Sequence, residues 1–143
     1  MTVKDVMVDD VVTIDASVTL LEAAQVMRDA NIGMLPVMEH GRLAGVVTDR
    51  DLVVRGMAEN ANPSTARVRD CYTTPVIRAY HKWSVEEAMM EMAKAQIGRL
   101  PVIDEQGRLV GVVTLSSLAL RSPDTDETLE TAQEVSRRSE RAA

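Results

Sequence analysis

The sequence predicts an α/β (α+β) fold in which two β-α-β-β-α repeats pack with pseudo-twofold symmetry. Residues 33–37 (Gly-Met-Leu-Pro-Val) return 65 residues later as residues 98–102 (Gly-Arg-Leu-Pro-Val). Residues 41–48 return 66 residues later as residues 107–114, with one substitution. Neither copy has enough apolar residues to form a comfortable core alone. We therefore expect the two copies to share one core and to form two equivalent clefts.

The composition is that of a globular protein without a general polyanion-binding surface. Apolar residues make up 45% of the 143 residues and aromatic residues only 2%, so valine, leucine and nine methionines must fill the core. The formal net charge of −6 argues against nucleic acid and anionic membranes as partners. Neither a signal peptide nor an apolar run long enough to span a bilayer is evident, so we expect a cytoplasmic protein.

The residue types that usually carry catalysis are scarce. The single cysteine, Cys71, excludes an internal disulfide, and its counterpart Val6 favours a buried core residue over a reactive thiol. His40 and His81 fall in a predicted turn and near a helix start, where we expect them to be solvated. The sequence contains no evident Ser–His–Asp set, zinc-ligand spacing or glycine-rich phosphate loop, which argues against an enzyme.

Each copy is predicted to start with an entry segment and a short strand, which are residues 3–7 and 11–13 in the first copy and residues 68–72 and 76–77 in the second. A helix follows, and its start is marked by Thr19 and Glu22, or by Ser84 and Glu87, at the spacing of a capping box. The helix faces that we expect to be buried carry Leu20, Ala23, Ala24 and Met27, and Val85, Ala88, Met89 and Met92.

Gly33 and Gly98 are predicted to end these helices as C-caps. Two strands then form a hairpin in each copy, with turns at Gly41 and Gly107. The predicted strands are residues 34–38, 43–48, 100–103 and 109–114. A second helix follows each hairpin, and its apolar residues are Leu52, Val53 and Met57, or Leu118 and Leu120.

These elements divide the chain into a first repeat over residues 1–60, a linker over residues 61–67, a second repeat over residues 68–122 and a polar tail over residues 123–143. The tail has acidic residues early and arginines late, which suits a helix dipole. Its apolar stripe is thin, consisting of Leu129, Ala132 and Val135. We expect a weakly held helix, and docking on a partner is the alternative.

The paired motifs resemble those of a CBS-domain pair, or Bateman module. The resemblance rests on residues 35–37 (Leu-Pro-Val), residues 45–51 (Gly-Val-Val-Thr-Asp-Arg-Asp) and their second-copy equivalents, and it covers about residues 1–122. It implies a free-standing, non-enzymatic regulatory protein that binds an adenosine-containing ligand in the cleft between the repeats. The expected ligand is AMP, ADP, ATP, NAD or S-adenosylmethionine, with no tightly bound cofactor and no metal. The chain would form a homodimer and signal to an effector protein.

The first copy has residue types that suit a ribose and a phosphate. One carboxylate can accept hydrogen bonds from two neighbouring ribose hydroxyls. Asp51 stands three residues after Thr48 at a predicted helix start, where the dipole favours a phosphate. By the resemblance, Thr48 and Asp51 contact the ligand and Arg99 of the second copy faces the same cleft. The alternatives are a capping role alone for Thr48 and Asp51, and a surface salt bridge for Arg99.

The other residues of this cleft come from the resemblance. Adenine would lie against Met7, Val12, Ile32 and the backbone of Gly33 and Met34. Ordinary core packing is the alternative for Val12 and Ile32. Arg50 would reach a phosphate or balance Asp49 and Asp51, and two acids favour a ligand with few negative charges, such as a monophosphate or a sulfonium compound, or require a cation.

The second copy lacks the charged partners. Its weaker cleft would be formed by Thr114, Ser117, Ile97 and Gly98, and Met34 stands where the other cleft has Arg99. Ser117 offers one weak hydrogen bond where a carboxylate offers two charge-assisted ones. We therefore expect one main site per chain. The alternative function is a ligand-independent dimerisation or interaction module with vestigial clefts.

Overall fold

A computed structural model describes residues 1–121 and 125–142, which divide into two compact units. Residues 12–76 form the first-repeat unit, and residues 1–11 together with residues 77 onward form the second-repeat unit. Helix α1 (Val3–Val6) therefore belongs to the unit of the second repeat. The entry segment of the second copy belongs in turn to the first-repeat unit. The compact units thus have other boundaries than the sequence repeats, because the entry segments are exchanged.

The first-repeat unit has the predicted β-α-β-β-α order. Its elements are β1 (Ile14–Asp15), α2 (Leu20–Ala30), β2 (Met34–Glu39), β3 (Arg42–Thr48) and α3 (Asp49–Asp51), which continues into a π-helical turn (Leu52–Gly56) and a 3₁₀ turn (Met57–Glu59). Strand β1 pairs in parallel with β2, and β2 pairs antiparallel with β3. A short 3₁₀ turn (Val68–Asp70) completes the unit. The second helix of this copy is therefore helical as predicted, but only its first turn is regular α-helix.

The second-repeat unit has the same order and pairing. Its elements are β4 (Ala79–Tyr80), α4 (Val85–Ala95), β5 (Arg99–Ile103), β6 (Leu109–Thr114), α5 (Leu115–Arg121) and α6 (Thr125–Ala142). Strand β4 pairs in parallel with β5, and β5 pairs antiparallel with β6. The mixed fold class and both hairpins are confirmed.

Both helices begin where predicted, but the predicted capping box is complete in α2 and only half formed in α4, and one predicted core residue is exposed. Thr19 Oγ1 accepts from the Glu22 N–H at 3.1 Å, and Glu22 Oε2 accepts from the Thr19 N–H at 3.2 Å. In α4, Ser84 Oγ accepts from the Glu87 N–H at 3.1 Å. The predicted buried face of α4 is confirmed, whereas in α2 Ala24 is exposed. The buried stripe of α2 is therefore narrower than the apolar pattern.

The predicted C-caps are wrong. Helices α2 and α4 end at Asn31 and Gln96, which have φ angles of 55° and 56° in the left-handed region. Asparagine visits this region without a large penalty, so a glycine is not required there. Gly33 has another reason to be glycine, since a Cβ at that position would lie 2.8 Å from Asp49 Oδ2. The Gly33 carbonyl accepts from the Asp49 N–H at 2.9 Å.

The first strand of each copy lies later than predicted. Strand β1 begins at Ile14 rather than at residues 11–13, and β4 begins at Ala79 rather than at residues 76–77. Ile14 and Ala79 are buried, whereas the apolar side chains of Val12 and Ile77 are exposed. The apolar run that suggested each strand is thus not the part that pairs.

The linker packs back on its own unit. The Leu20 N–H donates to the Ala66 carbonyl at 3.0 Å, and the Leu21 N–H donates to the Pro63 carbonyl at 2.9 Å. Arg67 Nη1 donates to the Ser17 carbonyl at 2.8 Å. The first two of these bonds satisfy N–H groups at the start of α2 that have no partner within the helix. Residues 61–67 are therefore part of the first-repeat unit rather than a free connection.

The expectation of a weakly held tail is wrong for the described residues. Helix α6 packs on α4 and α5, with Thr128 and Thr131 buried and Val135 against the core. Gln96 Nε2 also donates to Glu134 Oε1 at 3.3 Å. Residues 123, 124 and 143 of the predicted tail lie outside the described residues, as does residue 122 of the predicted second repeat.

The buried apolar side chains form one cluster in each unit, rather than the single shared core that we expected. The exchanged entry segments explain the difference. Val3 and Val6 of the first copy are fully buried in the second-repeat cluster, and Val68 and Cys71 of the second copy are buried in the first-repeat cluster. Each unit thus gains apolar residues that its own repeat lacks.

Candidate functional site

The predicted pair Thr48 and Asp51 lies where β3 ends and α3 begins, and we call this place the Thr48–Asp51 corner. Thr48 Oγ1 accepts from the Asp51 N–H at 3.0 Å, and Asp51 Oδ2 accepts from the Thr48 N–H at 3.0 Å. The two residues therefore form a complete capping box. The capping role is present, and any ligand role comes in addition to it.

The Asp51 carboxylate has further partners. Thr73 Oγ1 lies 3.2 Å from Asp51 Oδ1 and 3.1 Å from Oδ2, so that its hydroxyl can donate to either oxygen. Arg55 Nε lies 4.0 Å from Oδ1. Asp51 is only 8% exposed. A nearly buried carboxylate is costly to keep without such partners, and the capping bond, the hydroxyl and the guanidinium offset that cost.

The segment that carries Thr73 is anchored to β3. The Thr73 N–H donates to the Val46 carbonyl at 2.7 Å, and the Val46 N–H donates to the Thr73 carbonyl at 3.2 Å. Arg55 Nη1 donates to the Tyr72 carbonyl at 3.0 Å. The Tyr72 ring crosses Gly45 so closely that a Cβ there would lie 2.2 Å from Tyr72 Cδ2. The entry segment of the second copy thus runs directly beside the corner.

Several predicted residues of the first-repeat unit come together at this corner. Met34 is paired with Thr48 across the β2–β3 hairpin. Gly33 is linked to the first residue of α3, Asp49, through its carbonyl. Arg50 extends from the same turn and is exposed. The backbone of residues 33–34, the Thr48 hydroxyl and the Asp51 carboxylate therefore lie in one place.

Of the remaining predicted residues of this site, Ile32 and Val12 belong to the first-repeat unit. Ile32 is half-buried and packs against the core of its unit, so core packing is its observed role. Val12 is 39% exposed, which leaves its side chain available to a ligand. Met7 and Arg99 belong to the second-repeat unit. There Met7 packs over Gly111, where a Cβ would lie 2.6 Å from Met7 Sδ, and Arg99 is exposed at the start of β5.

The matching corner of the second copy has no carboxylate. Ser117 Oγ accepts from the Thr114 N–H and lies within donating distance of the Thr114 carbonyl, both at 2.9 Å. The Ser117 N–H donates to Thr114 Oγ1 at 2.9 Å. Ser117 is buried, Gly98 accepts from the Leu115 N–H at 3.1 Å, and Ile97 packs against the core. The Ser117 hydroxyl therefore has a capping role and offers little to a ribose.

Arg55 and Thr73 were not among the predicted site residues. Arg55 could have been found, because Arg121 stands at the matching position of the second copy and likewise donates to a backbone carbonyl, that of Met7, at 2.8 Å. Thr73 gives no such signal, since its counterpart is Val8. Its role became visible only once the exchanged entry segment had been located.

Cys71 and His81 are both at least half-buried. Burial, helped by the charges of Asp51 and Asp70, raises the pKa of the Cys71 thiol, and the expected core role of this residue is confirmed. His81 is half-buried rather than solvated as expected, with Nε2 lying 3.2 Å from Glu105 Oε2. This nitrogen has no aligned hydrogen bond to the described residues.

Three further features of the described residues bear on function. No cluster of three or more His, Cys, Asp or Glu side chains there is arranged to hold a metal ion. None of the described helices has the length and apolarity needed to cross a membrane. A groove of about 450 Å³ lies between α4 and α6 in the second-repeat unit, lined by Met89, Met90, Ala93, Glu127, Glu130, Thr131 and Glu134. This groove contains none of the predicted site residues.

Comparison with known protein families identifies both copies. The family model described as CBS domain matches residues 3–57 and residues 68–123. The chain is 40% identical over 118 residues to the CBS domain-containing protein YhcV of Bacillus subtilis, covering 82% of this chain and 83% of that protein. It is 36% identical over 124 residues to Hypoxic response protein 1 of Mycobacterium tuberculosis, covering 86% of each chain.

Solved structures of similar chains share the architecture. The crystal structure of Hypoxic Response Protein I with two coordinated zinc ions has 36% sequence identity and a TM-score of 0.76, covering 84% of this chain and 98% of the other. The CBS domain pair of protein MJ0100, in complex with 5′-methylthioadenosine and S-adenosyl-L-methionine, has 30% identity and a TM-score of 0.72. It covers 84% of this chain and 94% of the other.

Proposed function

Since the chain belongs to the CBS-domain family and carries two CBS domains in tandem, we propose that it is a regulatory module that binds an adenosine-containing ligand at the Thr48–Asp51 corner. The observation that carries the proposal is the nearly buried Asp51 carboxylate beside the Thr48 hydroxyl and the first residue of β2. The similar domain pair of protein MJ0100, which is in complex with two adenosine compounds, supports this class of ligand.

Each group of the corner has a chemical role in the proposal. Asp51 accepts hydrogen bonds from the two ribose hydroxyls, since a carboxylate can accept from both at once. The Thr48 hydroxyl contacts the ribose or the group attached to it. The backbone of Gly33 and Met34 offers hydrogen-bonding edges to adenine. Arg99 enters the proposal on the family resemblance alone, as a partner for a phosphate.

The charge of the corner favours a ligand with few negative charges. Asp49 and Asp51 both lie in α3, and the Asp49 carboxylate lies against Gly33. Two unit charges 4 Å apart interact by about 1 kcal/mol in water and about 4 kcal/mol near a protein surface. Arg50 and Arg55 offset part of this repulsion. We therefore expect 5′-methylthioadenosine and S-adenosylmethionine to bind more tightly than ATP, with AMP in between.

The protein's output is proposed to be a partner molecule. The chain would act without catalysis, as a homodimer, and ligand binding would change the surface offered to an effector protein. One observation favours the alternative of a ligand-independent interaction module. The Asp51 carboxylate is already hydrogen-bonded by Thr73 and faced by Arg55, so that it is stable without a ligand.

Titration calorimetry separates these functions. Wild-type protein is titrated with 5′-methylthioadenosine, S-adenosylmethionine, AMP, ADP, ATP and NAD, and the measurements are repeated with Asp51→Ala and Arg99→Ala. We expect Asp51→Ala to abolish binding of every compound and Arg99→Ala to weaken only those with a phosphate. Ser117→Ala is the matched control in the second copy and should bind as the wild type does.

Two results would contradict the proposal. Binding that survives Asp51→Ala unchanged, with the fold verified by circular dichroism, would refute the site. Absence of binding by every compound, with the wild-type protein folded, would favour the interaction module instead.

A further inference from the structure

We infer that the Thr73 hydroxyl is a built-in competitor for the ribose hydroxyls of the ligand, and that ligand binding loosens the segment that carries it. The inference rests on the function proposed above, because it concerns the same carboxylate. Thr73 Oγ1 lies 3.1 Å from one Asp51 oxygen and 3.2 Å from the other. A donor nearly equidistant from both oxygens stands in front of the carboxylate, where a pair of ribose hydroxyls must approach.

Little of the Asp51 carboxylate is open to a further donor. The residue is 8% exposed, and the Thr48 N–H already donates to Oδ2 at 3.0 Å. A diol that engages both oxygens has to reach a residue with this little exposed surface, and the Thr73 hydroxyl already lies close to both oxygens. The diol therefore has to take the place of the Thr73 hydroxyl.

The second-repeat unit shows which hydrogen bonds of this segment are common to both repeats. Val8 has the place of Thr73 there, and it exchanges two backbone hydrogen bonds of 2.8 Å with Val112. Arg121 donates to the carbonyl of the preceding residue, Met7, as Arg55 does in the first-repeat unit. The hydrogen bond from the Thr73 hydroxyl to the Asp51 carboxylate has no equivalent in the second-repeat unit, because valine has no hydroxyl and Ser117 stands in the place of Asp51. This bond is therefore specific to the first-repeat unit.

The position of Thr73 in the chain gives its release a consequence. Thr73 lies three residues before Val76, where the first-repeat unit ends and the chain continues into the second-repeat unit. With the hydroxyl displaced, the backbone pair with Val46 and the bond from Arg55 have to hold the segment without it, so that the backbone pair opens more often. Ligand binding thus removes one of the anchors of the segment that connects the units, which couples the site to that connection.

Thr73→Val and Thr73→Ser test the competition. Valine removes the hydroxyl and keeps the branched shape, and Val8 shows that the backbone arrangement accepts a valine. Serine keeps the hydroxyl. Titrated with 5′-methylthioadenosine, Thr73→Val should bind about tenfold more tightly than the wild type, as expected for one lost hydrogen bond to a charged group. Thr73→Ser should bind as the wild type does.

Hydrogen exchange tests the release. Addition of 5′-methylthioadenosine to the wild type should accelerate exchange of the Thr73 amide, and the ligand-free Thr73→Val variant should already show part of that increase. Equal or weaker binding by Thr73→Val overturns the competition, and unchanged or slower exchange of this amide overturns the release.

The outcomes also separate this inference from the function on which it rests. If neither the wild type nor Thr73→Val binds any adenosine compound, the proposed function fails and the inference fails with it. If the wild type binds and Thr73→Val binds no more tightly, only the inference fails. Binding by Thr73→Val alone supports both.

Discussion

Substituting Gly45 by alanine should destabilise the protein through the entry segment that crosses β3. A Cβ at Gly45 would lie 2.2 Å from Tyr72 Cδ2 and 2.7 Å from the Thr73 carbonyl oxygen. Non-bonded carbon atoms are best separated by about 3.5–4.0 Å, so the ring must move by more than about 1 Å. The carbonyl cannot move as easily, because the Val46 N–H donates to it.

The expected cost of Gly45→Ala is about 3 kcal/mol, at the upper end of the range for overpacking a core. At roughly 2–4 °C for each kcal/mol, the melting temperature should fall by roughly 6–12 °C. Thermal unfolding followed by circular dichroism measures it. Gly41→Ala is the contrasting variant. Its Cβ would meet nothing within 4 Å, so any cost there comes from its φ of +75° rather than from a clash. A Gly45→Ala protein within about 0.5 kcal/mol of the wild type would refute the close crossing.

Two other predictions concern stability. Leu118→Ala should lower the free energy of unfolding by about 2–5 kcal/mol, because Leu118 is fully buried. Leu120→Ala should change it by less than about 0.5 kcal/mol, because Leu120 is 84% exposed. Urea denaturation measures both variants, and equal costs would contradict the packing of α5. Hydrogen bonding from Lys82, with a smaller contribution from its own backbone, lowers the pKa of Glu105 from 4.5 to about 2. A depressed folded-state pKa contributes stability above pH 4.5 that is lost as the pH falls towards 2, so Glu105→Gln should flatten acid unfolding over that window, and an unchanged profile would contradict the pairing.

The parts of the fold that follow from local chemistry could be predicted from the sequence. The capping pair Thr19 and Glu22, the hairpin turns and the buried face of α4 each depend on residues a few positions apart. The ends of α2 and α4 could not be predicted in the same way, because Asn31 and Gln96 adopt left-handed φ angles that glycine usually takes. Gly33 was a misleading signal, since its lack of a side chain makes room for Asp49.

The candidate site was predictable only as far as the repeat shows it. Thr48 and Asp51 correspond to Thr114 and Ser117 of the second copy, and the exchange of a carboxylate for a hydroxyl at this position pointed to the corner. Thr73 is distant in sequence and reaches Asp51 because the entry segments are exchanged between units. Such an exchange depends on tertiary packing, and the spacing of the motifs does not predict it.

In the proposed function, Asp51 makes the first copy, and not the second, the ligand site. Asp51→Ser tests it most directly, because Ser117 shows that a serine at this place preserves the cap with its threonine. The dissociation constant of 5′-methylthioadenosine is measured by calorimetry for the wild type and for Asp51→Ser, with both folds checked by thermal unfolding. We predict that the wild type binds and that the folded Asp51→Ser protein binds at least about a hundredfold more weakly, as expected for two lost hydrogen bonds to a charged group. Equal affinity in the two proteins would contradict the claim.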